Sequence, residues 1–365
     1  MPWNWFRFRD LFRGERVRKY LATSPRLTKP PIDWWRVPAR VLHDLKMNSD
    51  DRGSLFEALL GDGRPLLALT GIALFASGGF AILQSLTGHL LPHDSHALGM
   101  DADGLARVAN AHLAMFMFHD RVAFGGTLLA IGAAYWWLSA FPLRARQVWA
   151  WWAFAVSGFT GFASFLAYLG YGYLDTWHGV ATVLLLPVFL AGLWRSRRLI
   201  AGRLRLDQSW RTELPAEAGS ARHGRHILQA CGLGLVLAGA TIVVVGMTTV
   251  FVPQDLAFMA MTREQIHAIS PMLIPVIAHD RAGFGGGLLS CGLLILIITR
   301  HAQLTRSFLE VIALMGLFGF GAALGVHAVI GYLDFVHLAP AYAGLLLFLV
   351  GFALCVRAYS YRGEL

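Results

Sequence analysis

The chain has 365 residues, of which 56% are hydrophobic and 15% are charged, and its formal net charge is +9 at pH 7. A soluble domain carries nearer a quarter charged residues, so most of this chain does not face water. The basic residues gather at a few places along the chain, which indicates membrane topology and argues against nucleic-acid binding.

Residues 1–64 are basic and aromatic and contain no long apolar run. They are therefore predicted to form a cytoplasmic segment without a signal peptide, which includes an amphipathic helix at the membrane surface. An alternative is a cytoplasmic cap that docks on the membrane helices.

Eight segments contain the roughly 20 apolar residues that a helix needs to cross a bilayer core. They predict an all-α integral membrane protein in which lipid is the first partner. The predicted spans are 65–91, 110–139, 148–170, 177–194, 227–252, 272–299, 308–331 and 336–356. In the outer loop at 253–271, Thr262 is a predicted cap of a short helix.

The positions of the 31 Lys and Arg residues predict the orientation of these spans. All of them fall on one side of the alternating path except Arg107, Arg121, Arg263 and Arg281. The positive-inside rule assigns the basic side to the cytoplasm. We therefore expect a multi-pass cell (inner) membrane protein with both its amino and carboxyl termini in the cytoplasm.

Two motifs occur once in each half, at an offset of about 160 residues. His-Asp-Arg followed by Phe-Gly-Gly occurs at 119–126 and 279–286, and Gly-Tyr-Leu-Asp followed by His occurs at 172–178 and 331–337. The recurrence predicts two tandem four-helix bundles. Because four is an even number of spans, both copies enter the membrane in the same orientation, as parallel repeats.

The repeat predicts a division of the chain into five parts. They are a segment at 1–64, a first membrane repeat at 65–196, a cytoplasmic linker at 197–225, a second membrane repeat at 226–357 and a tail at 358–365.

Ionisable side chains inside membrane spans are costly, so the motif residues are the functional candidates. Counting along the helices places the four motif histidines at similar depth in the outer part of the membrane, two in each half. Two facing imidazoles in a four-helix bundle suit a heme of b type, with iron ligated from both sides. The predicted iron ligands are His119 with His178, and His279 with His337.

The remaining motif residues have predicted supporting roles. Arg121 and Arg281 would pair with heme propionates. Glycines after each motif, among them Gly126 and Gly285, would give a flat ring room. The carboxylates would orient the imidazoles or relay protons, and they are Asp120, Asp175, Asp280 and Asp334.

Other interpretations use the same residues. Two His and two Asp in each half could bind a transition-metal ion, or the motifs could form the polar path of a transporter or proton-coupled carrier. The motifs could also pack helices together in a structural subunit of a membrane complex. His327, which Tyr168 replaces in the first half, is interpreted as structural.

The pattern resembles heme A synthase and its relatives, which have eight spans in two similar halves. His119 with Arg121, and His279 with Arg281, are similar to that family's His-Arg in the second helix of each half. His178 and His337 match its histidines in the fourth helix of each half.

The family's Glu, three residues before the first His, is replaced here by Phe116 and Val276. The resemblance therefore implies the fold and the heme ligands, and not the family's reaction. From the residues and the resemblance together, we expect a redox-type membrane protein engaged in electron transfer or quinol chemistry. Its expected partners are a quinone or other membrane redox subunits.

Overall fold

The structure is a computed structural model that describes residues 60–164, 166, 170, 173, 176–200 and 219–362. The side chains of residues 177 and 362 are not described. The predicted amphipathic segment before residue 60, most of the linker and Asp175 lie outside the described residues.

Every regular element among the described residues is a helix, which confirms the all-α class. The longer helices are α1 (Arg64–Leu86), α4 (Ala111–Ala140), α5 (Val148–Ser164), α6 (Thr176–Ser196), α7 (Gly219–Met247), α10 (Leu273–His301), α11 (Arg306–Ile330) and α12 (Phe335–Arg362). The short helices are α2 (Pro92–Leu98), α3 (Ala102–Val108), α8 (Pro253–Met259) and α9 (Arg263–Ile269). A 3₁₀ turn covers Arg197–Ile200.

In the described part of the chain, 7 helices are long and apolar enough to cross a membrane, namely α1, α4, α6, α7, α10, α11 and α12. The protein is thus a multi-pass membrane protein. The count differs from the predicted eight because α5 has only 17 residues. The rest of the predicted span at 148–170 falls mostly on residues outside the description.

Central and peripheral helices differ in the fraction of their residues that is buried. The most apolar window is 83% buried in α4 and 72% buried in α10, but only 17% buried in α12. The peripheral helices leave large apolar side chains exposed, as expected for surfaces that face lipid. Helices α4 and α10 therefore form the centre of the molecule, and they also pack against each other.

The packing order around the two central helices crosses the boundary between the sequence halves. Helix α4 packs on α1 and α11, and α10 packs on α7 and α5. Contacts between α5 and α6, α6 and α1, α11 and α12, and α12 and α7 complete two rings that share α4 and α10. Each ring therefore contains the four long helices of one half together with the central helix of the other half, so the two halves interlock.

Close glycine contacts bring α1 against α4, and α7 against α10. A Cβ added to Gly78 would lie 2.5 Å from the carbonyl oxygen of Gly125, and one added to Gly239 would lie 2.6 Å from that of Gly285. One heptad further along, Gly71 meets Gly132 and Gly232 meets Gly292 in the same way. These contacts allow backbone-to-backbone approach, which is how small residues pack membrane helices.

The short helices α8 and α9 cover the N-terminal ends of the central helices. The predicted cap is confirmed, because Thr262 Oγ1 accepts a hydrogen bond from Gln265 N at 3.3 Å. Asn110 caps α4 through Leu113 N and also donates from Nδ2 to the Met259 carbonyl at 2.9 Å. This last bond fixes the start of α4 to the end of α8.

Candidate functional site

The two His-Asp-Arg motifs lie in the N-terminal third of α4 and of α10, where these helices run side by side. All six side chains are buried, since none of these residues is more than 8% exposed. Burial of six ionisable groups in a membrane protein is costly unless they are paired with one another.

Each arginine pairs with the aspartate of the other motif. Arg121 Nε lies 2.9 Å from Asp280 Oδ2, and Arg281 Nε lies 3.3 Å from Asp120 Oδ2. The sequence predicted that these arginines would pair with heme propionates. In the structure, the contacts recorded for these guanidinium groups include carboxylates of the protein itself.

A second carboxylate reaches each arginine from a short helix. Arg121 Nη2 lies 2.6 Å from Asp94 Oδ2 of α2, and Arg281 Nη1 lies 2.8 Å from Asp255 Oδ2 of α8. Sequence reasoning missed both aspartates as site residues. The signal was present, because Pro-x-Asp recurs at 92–94 and 253–255.

The tyrosines of the Gly-Tyr-Leu-Asp motifs bind these same aspartates. Tyr173 donates its hydroxyl proton to Asp94 Oδ1 at 2.6 Å, and Tyr332 donates to Asp255 Oδ1 at 3.0 Å. Burial, followed by the nearby Asp255 carboxylate, raises the pKa of the Tyr332 phenol above its usual value. The tyrosine is therefore a hydrogen-bond donor throughout the ordinary pH range.

The centre as a whole carries more buried acid than base. Its ion pairs contain four carboxylates and two guanidinium groups, from Asp94, Asp120, Asp255, Asp280, Arg121 and Arg281. If all are ionised, there is a formal excess of two negative charges. Protonation of neighbouring histidines such as His93, whose Nε2 lies 3.3 Å from Asp94 Oδ1, protonation of the carboxylates or a bound cation would balance this excess.

The four predicted histidine ligands come together in pairs other than the predicted ones. His178 Nδ1 lies 3.1 Å from His279 Nε2, so the last long helix of the first half meets the second helix of the other half. His119 lies beside His337, with ring centroids 6.1 Å apart. The predicted pairing within each half is therefore wrong, and both pairs form across the halves.

His327 joins the second pair, although the sequence indicated a structural role for it. Its ring centroid lies 4.4 Å from that of His119 and 5.2 Å from that of His337. One ligand nitrogen from each of the three imidazoles lies within 4.8 Å of the other two. In the sequence, His327 is an ionisable residue inside a span, but the repeat gave it no functional role because it has no histidine counterpart in the first half.

The remaining predicted carboxylate lies apart from the buried network. Asp334 is exposed at the start of α12, and its Oδ1 accepts a hydrogen bond from His337 N at 2.7 Å. Asp334 therefore binds the backbone amide of His337 and does not orient its imidazole ring.

A cleft of about 520 Å³ lies next to the three histidines, lined by Pro253, Gln254, Ala257, Phe258, Gly331, Tyr332, Leu333 and Asp334. Tyr332 stacks on Phe258 and on His337, with ring centroids 4.5 Å apart in each case. The continuous stack of three rings connects the cleft wall to the histidine cluster. Leu333 and Phe335, beside the cleft, are exposed apolar side chains suited to contact with lipid.

Comparison with protein-family models, with curated proteins and with solved structures found no match to this chain.

The geometry of the histidines bears on the expected heme. Two iron–nitrogen bonds of about 2 Å would separate facing ligand nitrogens by about 4 Å, with a porphyrin between them. His178 and His279 are in direct contact at 3.1 Å. His327 lies beside both His119 and His337, where a porphyrin between them would have to pass. A porphyrin therefore does not fit between either pair in this arrangement, whereas a single metal ion is small enough for the three-histidine cluster.

Proposed function

We propose that this protein is a redox-type membrane protein that holds a metal-containing cofactor in the buried centre between α4 and α10. Its electron donor would be a lipid-soluble carrier such as a quinol. The observation that carries the proposal is the convergence of both His-Asp-Arg motifs on one centre that a stack of aromatic rings connects to a cleft.

The cleft supports a planar hydroxylated ligand as the donor. Phe258 and Tyr332 provide aromatic surface, and Gln254 and Asp334 provide groups that hydrogen-bond to hydroxyls. The exposed apolar side chain of Leu333 suits the lipid tail of such a carrier.

The test is reduction of the protein by a short-chain quinol without oxygen. Protein in lipid nanodiscs is mixed with decylubiquinol, and its optical and electron paramagnetic resonance spectra are followed in time. We expect a spectral change that is at least about tenfold slower in Tyr332→Ala, because the ring stack is broken. The matched control is Tyr361→Ala, in which an exposed tyrosine is removed. A protein that quinol does not reduce would refute the proposed function.

We also propose, in line with the sequence, eight spans arranged as two parallel repeats with both termini in the cytoplasm. Support comes from the glycine contacts, which recur between α1 and α4 and between α7 and α10 at the offset of the sequence motifs. Support also comes from the reciprocal ion pairs, in which each residue of one half has its counterpart in the other.

A second candidate function is a proton-coupled carrier. The position of the ion pairs between the two halves favours it, since carriers built from repeats bind their substrates at such an interface. Proteoliposomes with an internal pH dye test this function. Proton movement that depends on an added solute, and that is lost in Asp280→Asn, would support a carrier over a redox protein.

A further inference from the structure

We propose that His119, His327 and His337 bind a single divalent first-row transition-metal ion. This inference deepens the proposed function and rests on it for the role of the metal as an electron acceptor: with Cu²⁺ bound, one quinol would reduce two chains to Cu⁺ and release two protons as it becomes a quinone. The geometric argument for the site itself is independent of the electron donor.

The three ligands are brought together only by the fold. His119 belongs to α4, His327 to the end of α11 and His337 to the start of α12. Their ligand nitrogens lie within 4.8 Å of one another. In a tetrahedral site with metal–nitrogen bonds of about 2.0–2.1 Å, ligand nitrogens lie about 3.3–3.4 Å apart. Small movements of the imidazoles would close this difference, and His337 is only partly buried and has room to move.

Backbone carbonyl oxygens lie within hydrogen-bond distance of Nδ1 in two of the imidazoles, which leaves Nε2 available to a metal. His119 Nδ1 lies 3.3 Å from the Phe116 carbonyl oxygen, and His327 Nδ1 lies 2.6 Å from that of Ala323. With the ring proton on Nδ1 in both cases, Nε2 presents a lone pair. This arrangement is the usual one for metal-ligating histidines, in which the other ring nitrogen donates to an oxygen. His327 Nε2 is buried and has no hydrogen-bond partner among the described residues.

The third imidazole faces a carboxylate that the centre already holds in place. His337 Nδ1 lies 4.0 Å from Asp255 Oδ1, and Asp255 is fixed by Arg281 and Tyr332. A shift of His337 toward this carboxylate would give it the same Nδ1–H arrangement as the other two ligands.

Charge also favours a cation here. The four carboxylates of the adjoining ion pairs exceed the two guanidinium groups by two formal charges. Neutral imidazole ligands bring no charge, so a bound divalent ion would offset this excess. Three imidazoles suit zinc, copper, iron, cobalt or nickel, and they leave a coordination position for water or another ligand.

The site is expected only once in the chain. His178 and His279 correspond to His337 and His119, but Tyr168 stands where a counterpart of His327 would be. The pair is in direct contact at 3.1 Å. The sequence therefore has a tyrosine where a third imidazole would stand in this half, and we expect one metal ion for each chain.

The experiment is metal titration of the purified full chain in nanodiscs, after treatment with a chelator. Co²⁺ and Cu²⁺ are the probes, followed by visible spectra, and total metal is measured by mass spectrometry. We expect one ion for each chain, with binding at least about 100-fold weaker in His327→Gln. The matched control is His301→Gln, in which a buried histidine at the C-terminal end of α10 is replaced, and it is expected to keep the metal.

X-ray absorption of the wild-type protein loaded with Cu²⁺ provides a test that does not depend on the folding of any variant. Three imidazole ligands would support the site, and one or none would overturn it. Unchanged affinity in His327→Gln would overturn it as well. A metal that binds at these histidines but is not reduced by quinol would leave this inference standing and refute the proposed function. Reduction by quinol in a protein whose metal has no ligand among these histidines would refute this inference and leave the proposed function standing, with its metal held elsewhere in the centre.

Discussion

The ionisable residues of α4 and α10 were identified from the sequence because a charged side chain inside a membrane span is energetically costly and is therefore a functional candidate. Their partners were not, because equivalent motifs in two halves give no sign of whether pairs form within a half or across halves. As far as the sequence shows, Asp120 could pair with Arg121 of its own half or with the equivalent Arg281 of the other half. The packing of α4 against α10 determines that each aspartate pairs with the arginine of the other half.

Replacing Arg281 tests the strength of this exchange. Arg281→Gln would leave Asp120 and Asp255 buried without their guanidinium partner, so we expect a loss of about 3–5 kcal/mol in the free energy of unfolding. Unfolding of the protein in mixed micelles by added SDS measures this change. The control is Arg306→Gln, which breaks an ion pair to Glu310 whose side chains are 82% and 57% exposed. Its effect should be below about 0.5 kcal/mol, and equal losses in the two variants would contradict the prediction.

The tyrosine hydrogen bonds give a second prediction at this scale. Tyr332→Phe and Tyr173→Phe each remove a bond to a buried carboxylate, and each should lower the free energy of unfolding by about 1.5–3 kcal/mol. Tyr361→Phe, at an exposed position, should have no measurable effect.

The raised pKa of Tyr332 adds a dependence on pH to this prediction. Below a pH of about 10, the phenol is protonated in both folded and unfolded protein, and its full contribution to stability is present. Above that pH the unfolded chain loses the proton and the folded chain keeps it, so stability falls as pH rises. The difference between wild type and Tyr332→Phe should therefore shrink in alkaline solution. A difference that grows would show that the phenol ionises in the folded protein.

At the scale of helices, the apolar spans and the Thr262 cap followed from composition and local pattern. The glycines did not reveal their role in the same way. The sequence suggested that Gly126 and Gly285 make room for a porphyrin, but they make room for neighbouring helices. Gly126 packs on α11, and Gly285 packs on α7. A glycine indicates that something lies close by, and the sequence does not say what.

Two glycines of α7 allow a matched test of this packing. A methyl group at Gly239 would lie 2.5 Å from Leu289 N, so Gly239→Ala should lower the free energy of unfolding by about 1–3 kcal/mol. Gly234 has no neighbour within 4 Å, so Gly234→Ala should be neutral or stabilise by up to about 1 kcal/mol. SDS unfolding compares the two variants, and effects of the same sign would contradict the close contact of α7 with α10.

At the scale of the whole molecule, the distribution of Lys and Arg predicts which loops face the cytoplasm. The test places single cysteines at two exposed alanines, one in α9 and one in the turn after α4, in a chain whose three buried cysteines are replaced by alanine. An impermeant maleimide added to intact cells should label Ala268→Cys. It should label Ala145→Cys only after the membrane is opened. The opposite pattern would invert the proposed topology.

Helices α4 and α10 each belong to both rings. The sequence repeat therefore reveals the two halves, but it does not reveal how the halves pack against each other. A repeat in sequence shows that two segments have the same design, and each segment could satisfy its own charges or those of its copy. The shared glycine contacts hold α1 to α4 and α7 to α10 within the halves. The contacts of α4 with α11, and of α10 with α5, interlock the halves.

The exchange of partners between the halves has a consequence for how the protein is made. Asp120 and Arg281 are 161 residues apart in the chain. At about 5–20 residues per second, the ribosome delivers the arginine roughly 8–32 s after the aspartate. During that interval the early helices lie in the bilayer, and Asp120 lacks its partner Arg281, which has not yet been synthesised. The insertion machinery, lipid headgroups or a captured proton must therefore shelter Asp120 until the second half of the protein arrives.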